Sequence, residues 1–179
     1  MKVKQKIEEV LRHYSKKGII DKNLKSAAVL MPLFYNEGQY HVLFTERSEE
    51  VNAHKGQVCF PGGTYQPSDS NLLQTVLREV EEEIDLKAED VEVLGELDDI
   101  RTITTDYVIS PFVGFIPYPY PFKPNYKEIK EIFSVPLLTL MDETIFRQYS
   151  YEYEGHIIWG ATARILKQFI ELLRSGSGA

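Results

Sequence analysis

Arg78-Glu79-Val80-Glu81-Glu82-Glu83-Ile84 is the stretch on which the reading of this chain turns. Set on a helix, with about 100° between successive residues, it separates into two faces. Leu73, Val76, Leu77, Val80 and Ile84 fall on one arc, the stripe that meets a core. Glu79, Glu82 and Glu83, spaced i, i+3 and i+4, fall on another, while Glu81 points away toward solvent. Like charges at i,i+4 weaken a helix by about 0.2–0.5 kcal/mol per pair, a cost that a bound cation removes. Oxygen-rich clusters suit Mg²⁺ or Mn²⁺, with water and substrate phosphates completing the shell. By itself a run of glutamates is usually a solvated face. Its neighbours shift the reading: Arg78, four residues before Glu82, can hold a carboxylate by charge-assisted hydrogen bonds. Upstream, Gly62-Gly63 offers bare backbone to which a metal or phosphate can come close.

Outward from this helix, the pattern alternates strands with a few helices. Ser68-Asp69-Ser70 supplies N-cap oxygens for a helix over 71–84. Before it, 27–35 reads as a buried strand, Asn36-Glu37-Gly38 as a turn, and 40–45 as the returning strand of a hairpin. Residues 57–60 form a short strand stopped by Pro61-Gly62-Gly63. Val3, Ile7, Val10, Leu11 and Tyr14 predict an N-terminal helix over 3–17 within residues 1–20, ending near Gly18. After the acidic helix, strands are predicted at 91–97, 107–116 and 131–133, with 118–124 too rich in proline to be anything but a loop. A late hairpin (149–154 and 156–159) and an amphipathic helix over 161–174 complete a single α/β domain spanning 1–174, with 175–179 as a flexible end.

Bulk properties narrow the function. The 179 residues carry 27 acidic against 20 basic side chains, a net charge of −7, which disfavours a nucleic-acid backbone as partner. A small phosphorylated substrate stays open, because bound divalent cations reverse the local sign. One cysteine, Cys59, gives no intramolecular disulfide. The N-terminus lacks a signal-peptide pattern, and the apolar run 27–35 is far short of the ~20 residues that span a bilayer. The expectation is a cytoplasmic protein without membrane contact. The N-terminal helix and late hairpin offer surfaces for a homodimer.

Gly62-Gly63, a loop, and then Arg78-Glu79-Val80-Glu81-Glu82-Glu83-Ile84-Asp85-Leu86 resemble the Nudix box, the signature of hydrolases acting on nucleoside diphosphates linked to another moiety. The core, Arg-Glu-apolar-X-Glu-Glu, is matched in full. The first glutamate of the general box is Ser70 here, its late glycine is Asp85, and the spacing from Gly63 to Arg78 is one residue longer. Leu43-Phe44-Thr45-Glu46-Arg47-Ser48 and His54-Lys55-Gly56-Gln57-Val58-Cys59-Phe60-Pro61-Gly62-Gly63 resemble the added signature of the coenzyme A diphosphatase branch, which shares the longer loop. Segments 108–114, 135–137 and 159–163 agree, so the resemblance covers roughly residues 27–170.

The resemblance implies an α/β/α sandwich around a mixed β-sheet and metal-dependent cleavage of coenzyme A to 3′,5′-ADP and 4′-phosphopantetheine. It implies Glu79, Glu82 and Glu83 as metal ligands, with a backbone carbonyl near Gly63. Glu79 or Glu82 serves as general base, and Arg78 belongs to the catalytic group. Arg47, His54, Gln57 and Glu128 are candidate substrate-binding residues, and Lys55 is a further basic side chain for phosphates. Cys59, between Val58 and Phe60, reads as a small buried apolar residue. His156 reads as a turn residue and Trp159 as packing, while the tyrosines of 118–126 can stack on adenine or cover pantetheine. Two other readings are kept: a Nudix hydrolase of NADH, ADP-ribose or a dinucleoside polyphosphate, and a Nudix-fold nucleotide-binding module without catalysis.

Overall fold

In chain order the elements are α1 (Lys2–His13), β1 (Lys25–Asn36), β2 (Gln39–Arg47), β3 (Val58–Cys59), β4 (Gly62–Thr64), α2 (Leu72–Ile84), β5 (Glu92–Glu96), β6 (Ile100–Arg101), β7 (Tyr107–Phe115), β8 (Ile129–Pro136), α3 (Leu137–Leu140), β9 (Phe146–Arg147), β10 (Ser150–Tyr153), β11 (His156–Ile158) and α4 (Gly160–Ser175). The computed structural model describes residues 2–49 and 55–176. The main sheet runs β3-β2-β1-β7-β5, with β8 also on β2, β4 on β1 and β6 on β7. β1 lies parallel to β7 and antiparallel to β2 and β4, so the sheet is mixed. β9, β10 and β11 form a second, three-stranded sheet.

β1 sits between two apolar layers, which is why its sequence is a nearly unbroken apolar run. Ala28, Leu30 and Phe34 join Val76, Val80 and Ile84 of α2 in one cluster. Met31 and Leu33 join Ile7 and Leu11 of α1 and the apolar stripe of α4, from Ile165 to Leu173, in the other. Helices therefore cover both faces of a mixed sheet, the predicted α/β/α arrangement. Glu37 and Gly38, at φ 48° and 86°, make the two-residue turn into β2, a mirror-image turn whose twist suits a hairpin. Among the described residues, no helix is long and apolar enough to cross a membrane.

Several boundaries differ from the sequence reading. α1 stops at His13 rather than near Gly18, because the next residues are drawn into a strap along the β5–β6 connection. Tyr14 Oη and Lys17 N donate to Asp98 Oδ1 (2.6 and 2.7 Å), and Ile19 N donates to Asp99 Oδ2 (2.8 Å). Strand β8 extends well beyond 131–133, pairing with β2 from His41–Pro136 to Arg47–Ile129. Gly62-Gly63 does not merely stop a strand but forms β4, paired with Val29 and Ala28 of β1. Gly62 adopts φ 149°, and a Cβ there would strike the Ala28 carbonyl and the backbone at Val29, so glycine is what lets β4 lie so close. The last helix takes in Ser175, with Gly176 at its end.

Candidate active site

α2 begins at Asn71, whose side chain accepts from Gln74 N at 2.9 Å, so the cap lies one residue beyond the Ser68–Ser70 stretch. That frees Asp69 for another task. Arg78 Nε and Nη2 donate to the two Asp69 oxygens, each at 3.0 Å, a two-pronged guanidinium–carboxylate pair. Thr75 Oγ1 (2.9 Å) and Gln66 N (3.0 Å) donate to the same buried carboxylate. The Arg78 hydrogen bonds hold Asp69 well below the usual carboxylate range, and Asp69 in turn raises Arg78. Asp69 is the site residue that the sequence reading missed. A signal existed: the loop is one residue longer than the general box, and an aspartate stands next to Ser70, where the box has its glutamate.

Held this way, Arg78 turns its remaining N–H groups on the acids. Nη1 donates to Glu79 Oε1 at 2.9 Å and Glu82 Oε2 at 3.2 Å, and Nη2 to the Thr64 carbonyl at 3.3 Å. The three glutamates share a helix face but not an environment. Glu83 is 3% exposed, receives Gly62 N at 3.0 Å and lies 3.8 Å from Arg47 Nη1. Burial pushes its carboxyl up to about 8, against the opposing pull of the Gly62 N–H and Arg47. Glu79 is partly buried, and burial raises it while Arg78 pulls it back down. Glu82 is open to solvent. A Cβ at Gly63 would run into the Glu79 carboxylate, so the bare backbone of β4 forms the wall against which Glu79 rests. Glu81 pairs with Lys87 at 2.7 Å, outside this group, as its position on the helix predicts.

The flanking segments converge on Glu83. Arg47 ends β2, and its backbone closes a loop with Gln57 and Gly56: Arg47 N donates to Gln57 O (3.0 Å) and Gly56 N to Arg47 O (3.1 Å). His54 lies outside the described residues. Lys55 is exposed. Glu128 accepts from Asn125 Nδ2 at 3.0 Å, and its charge adds to the upward pressure on Glu79 and Glu83. Asn125 N donates to the Glu83 carbonyl at 2.8 Å, fixing this loop on the end of α2. The structure thus gathers Arg47, Gln57, Gly63, Arg78, Glu79, Glu82, Glu83 and Glu128 around the acidic face of α2. Cys59 is packed beside Thr45, and burial pushes its thiol up to about 11, which suits a small apolar residue and not a nucleophile.

His156 is not a turn residue. It opens β11, stacks on Phe133 (3.8 Å between ring centres) and places Nδ1 3.3 Å from Glu46. Among the described residues, Glu46, Glu131 and His156 bring ligand atoms within 4.8 Å of one another. The α2 glutamates are spread more widely: Glu79 and Glu82 share Arg78 Nη1, while Glu83 turns to Gly62 N and Arg47. Their donor set nevertheless fits a hard divalent cation: carboxylate oxygens beside a strand too close for a side chain, with two of the acids raised by burial.

Comparison with known proteins agrees with this geometry. The NUDIX domain model matches residues 24–148. The chain is 35% identical over 161 residues to an uncharacterized Nudix hydrolase, NudL, of Photorhabdus laumondii, covering 83% of this chain and 85% of that one. Its fold is similar to that of a Nudix hydrolase from Alicyclobacillus acidocaldarius (TM-score 0.63, 15% identity, covering 85% and 93% of the two chains). It is also similar to the NUDIX domain of Shewanella oneidensis NrtR, solved with ADP ribose (TM-score 0.61, 19% identity, covering 92% and 97%). With its arginine clamped by Asp69 and with Glu79 and Glu83 set against β4, the chain belongs to the Nudix family of hydrolases, which act on diphosphate bonds.

Proposed function

We propose that this chain hydrolyses the diphosphate bridge of coenzyme A or its derivatives, giving 3′,5′-ADP and 4′-phosphopantetheine. The observation that carries the reading is the stretch from Leu43 to Gly63, whose described ends fold back on each other at Arg47 and Gln57, directly beside Glu83. The segment that resembles the coenzyme A branch thus borders the acidic face of α2. Glu79, Glu82 and Glu83, with a backbone carbonyl near Gly63, would hold Mg²⁺ or Mn²⁺. When bound, such ions neutralise a diphosphate and lower the pKa of water. The protein's own groups do the positioning. Arg78, anchored by Asp69, orients Glu79 and Glu82, and either of these takes the proton of the attacking water. Arg47 faces Glu83 and supplies a guanidinium for a substrate phosphate. Glu128 adds an acid from the facing loop.

The test is a panel of coenzyme A, NADH, ADP-ribose and a dinucleoside polyphosphate with Mg²⁺ and with Mn²⁺, products identified by mass. Release of 4′-phosphopantetheine from coenzyme A at the highest kcat/KM is the expected result. Faster AMP release from another member assigns the chain to that substrate instead. Tight nucleotide binding with no turnover under either metal identifies a binding module.

A further inference from the structure

A second feature borders the acidic face of α2 and has no part in holding metal: a cleft of about 560 Å³ between the proline-rich loop and β8. Phe34, Leu43 and Ile132 form its floor, and Tyr118 and Tyr126 flank it from the loop. The loop is a fixed wall. Lys123 N donates to the Ile84 carbonyl (3.1 Å), Asn125 N to the Glu83 carbonyl (2.8 Å) and Tyr120 Oη to Asp90 (2.8 Å). The cleft and the acids therefore share one wall. Strand register gives its direction: Ile129 pairs with Arg47 at the acidic end and Ser134 with Leu43 at the far end. Between Lys130 and Ser134 the cleft extends roughly 13 Å, at about 3.3 Å per strand residue.

Two of its aromatic rings are not used up by core packing. Tyr118 stacks on Phe34 (4.3 Å between centres, 12° between planes) yet is 45% exposed, and Tyr126 is 72% exposed. An open ring face on a fixed loop is a stacking platform, because a planar base gains contact there without directional partners. A flexible amide-bearing arm fits less well, since its polar groups would lose water against ring carbons. We propose that this cleft takes the nucleoside arm of the substrate, with its base stacked by Tyr118 and Tyr126. The proposal rests on the reading that the diphosphate lies at the acidic face of α2.

Binding of the two separate products to the intact protein tests it without turnover. Tyr118→Ala and Tyr126→Ala are each expected to weaken 3′,5′-ADP roughly 5- to 100-fold, while 4′-phosphopantetheine stays within about twofold. Tyr118→Phe, which keeps the ring, restores wild-type affinity. Tyr149→Ala, exposed beside the three-stranded sheet, changes neither ligand. Undiminished 3′,5′-ADP binding in the folded double variant overturns the proposal, as does selective loss of phosphopantetheine. If coenzyme A is not the substrate, AMP replaces 3′,5′-ADP as the probe. Tyrosine-dependent AMP binding then upholds the cleft although the coenzyme A reading has failed; tyrosine-independent binding, or none, overturns it.

Discussion

Two groups of side chains of metal-ligating type lie on opposite faces of the same sheet, and they differ in how their charge is met. Glu46, on the α4 side, has Lys130 Nζ at 2.5 Å and His156 Nδ1 at 3.3 Å, with Glu131 opposite it in register. Its cationic partner, Lys130, comes from the chain itself. On the α2 side, Asp69 takes two of the Arg78 N–H groups, leaving Glu79, Glu82, Glu83 and Glu128 to share the rest of Arg78 and an Arg47 that reaches Glu83 at 3.8 Å. Spacing of ligand atoms alone selects the first group. Charge balance selects the second, because five acids there face two arginines, and the more unbalanced cluster gains more from an ion.

The strongest way to break this comparison is to replace candidate ligands in each group by glutamine. Glu82→Gln and Glu83→Gln are expected to abolish turnover, by roughly 10²-fold or more in kcat, with the fold intact. His156→Gln is expected to keep kcat within about threefold, costing at most the Phe133 stack and the Glu46 contact, about 0.5–1.5 kcal/mol. Initial rates at saturating Mg²⁺ decide it: near-normal kcat in either glutamine variant, or loss of kcat in His156→Gln, reverses the assignment.

Asp69→Asn probes the unbalanced side one step further out. The amide cannot accept both guanidinium prongs as a charge, so Arg78 is freed to collapse onto Glu79 and Glu82. A fall in kcat of roughly 10- to 100-fold is expected from such misplacement, with KM little changed. Asp69→Glu restores part of it if the role is positioning. An equal loss in both variants would show instead that Asp69 simply holds the loop.

The two groups should also part company in pH dependence. Glu83 keeps its proton in the folded chain up to about pH 8, against an ordinary value of 4.5. Between those limits the folded state binds more protons than the unfolded one, so stability falls as pH rises. In EDTA, the melting temperature of the wild type is expected to drop across this window, and Glu83→Gln to flatten the drop. Mg²⁺ or Mn²⁺ added at pH 8 should recover it, since a ligand at 100 times its Kd contributes about 2.7 kcal/mol. A slope that survives Glu83→Gln places the titrating group elsewhere.

Much of this was legible before the coordinates, for identifiable reasons. β1, α2 and α4 announce themselves because each buries a periodic apolar face, and periodicity is a property of the sequence itself. The acidic face of α2 follows from helix geometry alone. What escaped depends on contacts across the chain. Asp69 reads as a cap until the fold brings Arg78 over it, and the strap after His13 reads as helix until Asp98 and Asp99 claim its N–H groups. β4 escaped because two glycines signal a stop, whereas here they mark the closest approach of two strands. Glu83 escaped in degree: the helix places it on the acidic face but does not show that β1 and β4 bury it.

The smallest expected effect concerns Asp85, where α2 ends away from both groups. Its backbone is left-handed (φ 58°, ψ 29°), and its N–H closes the helix on the Glu81 and Val80 carbonyls. Glycine is favoured there, but aspartate tolerates the conformation better than most residues. Its carboxylate holds Lys87 at 2.7 Å and Lys123 at 2.9 Å. Asp85→Gly removes the backbone strain and these surface ion pairs together, two small terms of opposite sign. The melting temperature is expected to move by less than about 3 °C, with kcat unchanged. Lys123 precedes Asn125, however, and Asn125 carries the loop onto Glu83. A clear loss of activity in Asp85→Gly would therefore show that Lys123 helps seat that loop, and would extend the unbalanced side of the comparison to the end of the helix.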